Sequence, residues 1–364
     1  MEIGLFLGAG ASVPFGMLTT EGLRNKLRRF TQDDLDEEVL QSFLTNPKYL
    51  DIEYVLQAVG DIIKFSRSRG GDYFFTRGTG SLRFDKGMMD FGKFIKRVIQ
   101  VQIELEEFVY ENYRWKPAYK DKVLELYDVI FKFLNEKSNS IKIFTTNYDR
   151  IIEEYCHQRV NYDLVDGFER EPPASEYAEW SERFQHDNNS DYKPVFLYKL
   201  HGSLNWKEHV DVGIVKTNEE AISSDSNYRR NLVVMPTLSP KDEEDVEPYQ
   251  TIISEFVDYM SIADACIVIG FSFRDSRIND VFTNFIHRGK PLIVISPSSM
   301  KNVCQNLLEV AIPKDFDEHK ASSPAPVDGH VWCIPDKVEN RNNLENDLNA
   351  IAWAHIQKAH EKKE

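Results

Sequence analysis

The chain has 364 residues, 41% of them hydrophobic and 28% charged, enough for one large domain or two ordinary ones with a sizeable core. Forty-four Lys and Arg against 59 Asp and Glu give a net charge of −15, which speaks against a general nucleic-acid coat while leaving room for a local basic cleft. The four cysteines, Cys156, Cys266, Cys304 and Cys333, show no C-x-x-C spacing, which excludes a zinc ribbon, a thioredoxin pair and a disulfide framework and suggests a reducing cytoplasm.

The predicted elements follow in chain order. Ile3 to Leu7 is a short apolar run ending in Gly8, as expected of a buried parallel strand. The N-terminal apolar stretch lacks a basic leader and breaks at glycine, so it reads as a strand and loop rather than a signal peptide. No apolar run approaches the roughly 18 residues of a membrane span, and the expected compartment is the cytoplasm. Gly8-Ala9-Gly10-Ala11-Ser12 comes next, and Thr19-Thr20-Glu21 can cap a helix carrying Leu23 and Leu27.

Residues 33–136 read as a mostly helical insertion. Apolar residues recur at helical spacing around Tyr54 to Ile63, from Phe91 to Phe108, and from Leu124 to Leu134. The intervening Arg67 to Lys86 reads as a loop. Asp51 and Glu53 open a helix, where acids usually serve the cap and the dipole and could otherwise line a pocket mouth. Phe91, Phe94 and Phe108 are expected in the core.

An α/β pattern resumes with Ile141 to Thr145 as a strand, Thr146-Asn147-Tyr148-Asp149, and a helix through Ile151 and Ile152. Glu169 to Asp191 is expected to be irregular, Val195 to Leu200 a strand ending at His201-Gly202-Ser203, and residues 207–230 a loop and hairpin. Leu232 to Met235 is expected as a short strand before Pro236 and Thr237, and Asp242 to Glu247 as a solvated acidic loop. Tyr249 to Ser261 is a helix, Cys266 to Ile269 a buried strand ending at Gly270, Ser276 to His287 a helix, and Leu292 to Ile295 a buried strand ending at Ser296. Val331 to Ile334 could be an edge strand, with a helix from about Glu339 to Ala359. This is the pattern of an α/β fold, a Rossmann-like doubly wound parallel sheet with a helical insertion. Residues 1–300 are expected to form the main domain and residues 301–364 a strand–helix appendage.

In such sheets ligands bind beyond the carboxyl ends of the strands, at the switch point. Small and polar residues gather there: Gly8, Gly10 and Ser12, then Thr146, Asn147 and Asp149, then His201, Gly202 and Ser203, then Gly270, Ser272, Ser296 and Ser298. The glycine run can admit a pyrophosphate against backbone N–H groups, or can be a simple tight turn. His201 can take a proton near neutral pH or be structural. Asn147 can orient a water or a ribose hydroxyl, or cap the next helix, and Asp149 can be a first-turn acid. His157, His186 and His209 are expected on exposed helices or loops.

Taken together, Gly8-Ala9-Gly10-Ala11-Ser12, Thr145-Thr146-Asn147-Tyr148-Asp149 and Leu200-His201-Gly202-Ser203 resemble the SIR2 (sirtuin) family in order and spacing. Val268-Ile269-Gly270-Phe271-Ser272-Phe273-Arg274-Asp275 and Asp166-Gly167-Phe168 resemble the SIR2-like domains of bacterial anti-phage defence proteins. The resemblance implies an NAD-binding sheet, with Asn147 and His201 as catalytic residues, Asn147 holding water or ribose and His201 acting as the base. It implies Gly8, Ala9, Gly10, Ser12, Thr146, Asp149, Gly270, Ser272 and Ser296 as NAD-binding residues, and no metal. The cysteine pairs of the deacetylating sirtuins' zinc module are missing, and the segment after the first glycines is Val13-Pro14-Phe15-Gly16-Met17 rather than the peptide-side pattern. Both departures favour NAD hydrolysis over protein deacylation. The resemblance also implies a regulated antiviral effector, assembled as a homo-oligomer and paired with a HerA-like ATPase or helicase. A non-catalytic NAD or ADP-ribose sensor and a protein ADP-ribosyltransferase or deacylase are the alternatives.

Overall fold

The computed structural model describes residues 1–19, 22–23, 25–26, 59–63, 65, 81–84, 87–138, 140–169, 177–184, 191–217, 228–230, 233–234, 247–309, 325–328, 330–334, 341–354 and 356–357. The elements in chain order are β1 (Ile3–Leu7), β2 (Ser81–Phe84), β3 (Gly87–Asp90), α1 (Phe91–Tyr113), α2 (Lys120–Lys137), β4 (Ile141–Thr145), α3 (Ile151–Gln158), β5 (Tyr162–Val165), β6 (Gly167–Phe168), β7 (Tyr177–Arg183), β8 (Lys193–Lys199), β9 (Gly202–Ser203), β10 (Trp206–His209), β11 (Gly213–Thr217), β12 (Tyr228–Arg230), β13 (Val233–Val234), α4 (Tyr249–Ile262), β14 (Ala265–Ile269), α5 (Ser276–His287), β15 (Leu292–Ile295), α6 (Ser299–Asn302), β16 (Ala325–Asp328), β17 (Val331–Ile334) and α7 (Arg341–Asn346).

The main sheet has eight strands in the order β16-β17-β15-β14-β1-β4-β8-β5. Its pairs are parallel except the edge pair β16–β17. The chain winds from β1 toward β4 and β8 in one direction and from β14 toward β15 and β17 in the other, which is the doubly wound Rossmann-like arrangement.

Strand periodicity sorts the side chains onto two faces. Ile3, Leu5, Leu7, Ile143, Leu197, Ile267, Ile269, Ile293 and Ile295 point to one face, packed with the apolar sides of α1 and α2. Phe6, Phe144, Tyr198, Cys266, Val268 and Val294 point to the other, packed with α4 and α5. That second face is aromatic: Phe144 stacks on Tyr198 at 4.7 Å, and Phe6 meets Phe282 edge-on at 5.1 Å. Each such pair contributes about 0.5–1.5 kcal/mol beyond area burial.

The helical insertion belongs to the same core. α2 starts on a Pro117 turn, carries Asp121 in its first turn and Lys137 in its last, and buries Val123, Leu126, Tyr127, Ile130, Phe133 and Leu134 against the aliphatic face. Leu344, Leu348, Ala352 and Ile356 from the C-terminal segment join that core too, and β17 extends the sheet.

Several local expectations are corrected. A hairpin, β2–β3, occupies the end of the stretch read as loop and runs into α1. Part of the stretch read as irregular is β7, and it pairs with β11 and β6 in a second, antiparallel sheet of order β12-β10-β11-β7-β6. Its strands alternate apolar and polar residues only over short lengths, which hides them in sequence. β13 lies outside the main sheet, antiparallel to β9. β17 is not the edge, because β16 covers it. His209 sits in β10 between the rings of Tyr177 and Tyr228, at 5.2 and 5.6 Å, rather than in a loop. Tyr54, Asp51, Glu53, Leu27, His186, Pro236, Thr237 and most of the acidic tract lie outside the described residues. Among the described residues, no helix is long and apolar enough to cross a membrane.

Candidate active site at the strand ends

The carboxyl ends of β1, β4, β8 and β14 lie side by side at the switch point. The chain leaves β1 not into a helix but into two tight turns, Ala9–Ala11 and Val13–Phe15. A helical segment begins only after Thr19, whose hydroxyl accepts from the Gly22 N–H at 3.0 Å. The turns consume most of the loop's donors: Ala11 N–H bonds Gly8 O, and Ser12 N–H bonds Ala9 O. Gly8 N–H donates to Ile269 O and Gly10 N–H to Gly270 O, both at 2.9 Å, so the β1 and β14 loops are stitched together.

That stitching explains the glycines directly. Gly270 has φ +68°, and a Cβ there would lie 2.3 Å from Ala11 N. A Cβ on Gly8 would lie 2.5 Å from Phe271 Cα. Only glycine lets these two loops meet.

The β4 end feeds the same place. Thr145 Oγ1 donates to Leu7 O and accepts from Asn147 N–H, and Thr146 N–H donates to Leu7 O at 3.2 Å. This turns the Asn147 amide inward. Asn147 Nδ2 donates to Gly8 O and to Ser12 Oγ, each at 3.0 Å. It is therefore not a helix cap. Its Oδ1 is buried and has no hydrogen-bond partner, an acceptor ready for a bound molecule. Ser12 Oγ in turn donates to Asp149 Oδ2 at 2.6 Å, while Asp149 Oδ1 accepts from Ile151 N–H at the start of α3. Burial, reinforced by Glu153, raises the Asp149 carboxyl above its ordinary range against Lys199, Ser12 and the Ile151 N–H.

Beneath this network lies a lysine that the sequence pattern did not single out. Lys199, the last residue of β8, is 2% exposed. Its Nζ pairs with Glu153 Oε1 at 3.0 Å and donates to the carbonyls of Asp149 and Tyr148. All three ammonium protons are thereby used, which pins the β4–α3 turn that carries Asn147 and Asp149. Burial, with the nearby Asp149 and Glu153, pushes the adjacent Tyr127 hydroxyl upward.

His201 follows β8 directly and is 4% exposed. Its Nε2 is 3.0 Å from Asp275 Oδ2. Asp275 also caps α5, its Oδ1 accepting from Arg277 N–H at 3.0 Å and Ile278 N–H at 3.4 Å. Burial alone would raise the Asp275 carboxyl, but His201, Arg277 and the Ile278 N–H outweigh it and hold it below its ordinary range. The loop leading to Asp275 is clamped. Phe273 takes φ 56°, its carbonyl accepts from Asn279 Nδ2 at 2.8 Å, and Ser272 O accepts from Asn306 Nδ2 at 2.8 Å.

The structure thus joins Gly8, Gly10, Ser12, Asn147, Asp149 and Gly270 in one bonded network, with Thr146 and Ala9 in its backbone turns. Ser296, at the end of β15, is held through its N–H to Ile334 O and keeps a buried Oγ without a hydrogen-bond partner. Ser272 takes part through its carbonyl. Asp275, Lys199 and Glu153 are the additions. Asp275 could have been found as an N-cap acid just beyond a strand-end glycine, and Lys199 as a cation inside an apolar strand. Among the described residues, no group of three or more His, Cys, Asp or Glu could hold a metal ion. The four cysteines are separate, free and buried.

Residues 141–312 match the family model of the SIR2-like domain, a span that contains Asn147, His201, Gly270 and Asp275. Solved structures similar to this chain include a Sir2 homologue in complex with NAD, at 12% identity and TM-score 0.45, covering 97% of this chain and 90% of that one. Another is a mutant Sir2 homologue with 2′-O-acetyl ADP ribose, at 13% identity and TM-score 0.44, covering 97% and 92%. A third is a complex of Sir2, a p53 peptide and NAD, at 13% identity and TM-score 0.38, covering 97% and 94%. No curated protein matches the chain by sequence.

Proposed function

We propose that the chain is an NAD glycohydrolase, splitting NAD into nicotinamide and ADP-ribose. One observation carries this reading: the buried Asn147 amide, held by Gly8 and Ser12 with its oxygen unspent, lies just past the end of β4, the strand next to the one that delivers His201. The match to the SIR2-like domain spans both residues. The residues present suit a dinucleotide. Buried acceptors at Asn147 Oδ1 and Ser296 Oγ are open to hydroxyls, and the glycine loops of β1 and β14 bring backbone to the crevice.

The reaction breaks the bond between ribose C1′ and the nicotinamide nitrogen. Nicotinamide leaves as a neutral molecule with the bonding pair, and a water oxygen bonds to C1′. Asn147 orients that water or the neighbouring ribose hydroxyl, and His201 accepts the water's proton. A fixed array of dipoles in a dry crevice stabilises the oxocarbenium-like charge.

The test is nicotinamide release from NAD by the purified chain, followed by chromatography. Asn147→Ala and His201→Ala should each abolish it. Saturable NAD binding with no nicotinamide under any condition would favour a sensor instead, and transfer of label to protein would favour a transferase. Because unregulated NAD loss is lethal to a cell, the hydrolase reading includes control through a homo-oligomer and a HerA-like ATPase or helicase partner, in the setting of antiviral defence. Light scattering of the chain with and without such an ATPase tests this, and a monomer fully active by itself would remove it.

A further inference from the structure

We propose that Asp275 is a positioning residue that fixes His201 as the Nε2–H tautomer, so that Nδ1 is the nitrogen that takes the proton from the attacking water. The inference rests on the hydrolase reading and adds the residue and the nitrogen that it leaves open.

The geometry leaves the carboxylate little freedom. Oδ1 is committed to the first N–H groups of α5, at 3.0 and 3.4 Å. Oδ2 is thereby turned to His201 Nε2, 3.0 Å away. The two side chains are only 5% and 3% exposed, so bulk water competes little for the contact between Nε2 and Oδ2. Arg277 Nε stands 3.8 Å from Oδ1 and adds a positive charge beside the pair. The clamped Phe273 turn and the glycine at 270 fix the loop that sets Asp275 in place. An ionised carboxylate only accepts, so the nitrogen facing it must carry hydrogen. A neutral imidazole with Nε2–H has its lone pair on Nδ1. The depressed carboxyl pKa is consistent with a charged acceptor.

The proton accounting closes. As the C1′–N bond breaks, its electron pair leaves with nicotinamide and the water oxygen bonds to C1′. The water's proton moves to Nδ1, making an imidazolium whose other N–H stays on Asp275. The carboxylate balances the new charge, and the proton later returns to solvent.

A cap-only role for Asp275 makes a different prediction, and Asp275→Asn separates the two. Asn keeps an oxygen for the α5 N–H groups, so the helix stays capped. Its NH₂ then faces Nε2 and demands an acceptor there, which drives His201 to the Nδ1–H tautomer. Asp275→Ser keeps the cap and removes the partner. The experiment is ¹⁵N–¹H spectroscopy of the full chain with labelled histidine, the His201 signals assigned by their loss in His201→Gln, together with kcat and KM for NAD. The wild type should show an unprotonated Nδ1 at neutral pH, and Asp275→Asn an unprotonated Nε2. kcat should fall by roughly 10²- to 10⁴-fold, the range general-base catalysis is worth, with KM nearly unchanged. A protonated Nδ1 in the neutral wild-type ring, or an Asn variant with wild-type tautomer and kcat, overturns the proposal. A tautomer switch in a chain that never releases nicotinamide upholds the control of His201 by Asp275 and retires the hydrolase reading instead.

Discussion

Two aspartates, both nearly buried, flank the candidate site and are built in opposite ways. Asp149 sits over α3 in a mesh of hydroxyl, amide and backbone groups, with its nearest cation, Lys199, spending its protons on carbonyls and Glu153. Asp275 sits at the start of α5, where an imidazole, a guanidinium and two N–H groups converge on it. Burial wins at the first and raises its pKa; partners win at the second and lower it. The two environments thereby push two acids of one site in opposite directions. The difference also separates two duties: the Asp149 side holds Asn147 in place, and the Asp275 side holds His201.

The largest expected effect breaks the Asp149 side from below. Lys199→Met leaves Glu153 buried without its cation and frees two carbonyls, and should cost about 3–5 kcal/mol. Urea unfolding followed by circular dichroism measures it. Lys199→Met with Glu153→Leu should recover much of that loss, because a matched apolar pair avoids the orphaned charge. If the single variant is as stable as wild type, Lys199 does not pin the turn. Next comes Ser12→Ala, which removes the one hydroxyl shared by Asn147 and Asp149. It should cost roughly 1–3 kcal/mol, since a buried acceptor on Asp149 loses its donor, and it should lower NAD turnover by loosening Asn147. Smaller still, Asp275→Ala removes a cap and should cost about 0.5–2 kcal/mol, with Asp275→Asn well below that. The comparison is sharpened if Ser12→Ala raises KM while Asp275→Asn lowers kcat alone.

The two sides also differed in how far the sequence exposed them. The strands of the main sheet were legible because β1, β14 and β15 are unbroken apolar runs, as burial on both faces requires. Gly8 and Gly270 were legible because each follows such a run, and Asn147 and His201 because each stands just beyond a shorter apolar stretch, in β4 and β8. The second sheet was legible only in the hairpin expected within residues 207–230, which holds β11 and most of β10: β7 carries polar residues among its aromatics and pairs with β11, far along the chain, and nothing local announces that pairing. The glycines were legible as a loop but not in their cause. Glycine at 270 is required by the backbone of Ala11, remote in sequence, whose nitrogen is 2.3 Å from where a Cβ would stand. Asp275 stood in the sequence only as the last residue of the Val268 to Asp275 motif; it caps α5, and its second oxygen, turned to His201, depends on a contact between the end of β8 and the start of α5 that no spacing encodes.

The smallest expected change is the most discriminating, because its sign reverses with pH. The folded-state pKa of Asp149 is raised, so its contribution is most favourable when protonated, below the unfolded-state pKa, and is lost as pH rises through the folded value. Where the group is ionised, its burial is a burden. For Asp275 the folded pKa is lowered, so its contribution is present above the unfolded-state pKa and is lost as pH falls through the folded value. Asp149→Asn removes the burden but leaves the Ser12 hydroxyl proton facing an amide, so at neutral pH it should change stability by no more than about 1 kcal/mol. On acidification through the carboxylate range, wild type gains at Asp149 while it loses at Asp275, whereas the Asp149→Asn variant has no such relief. That variant should therefore lose stability more steeply than wild type as pH falls, and Asp275→Asn less steeply. Urea midpoints across that range read both slopes. Equal slopes in the two variants would mean that the two carboxyls are not held apart, and the separate duties of the two sides would fall with them.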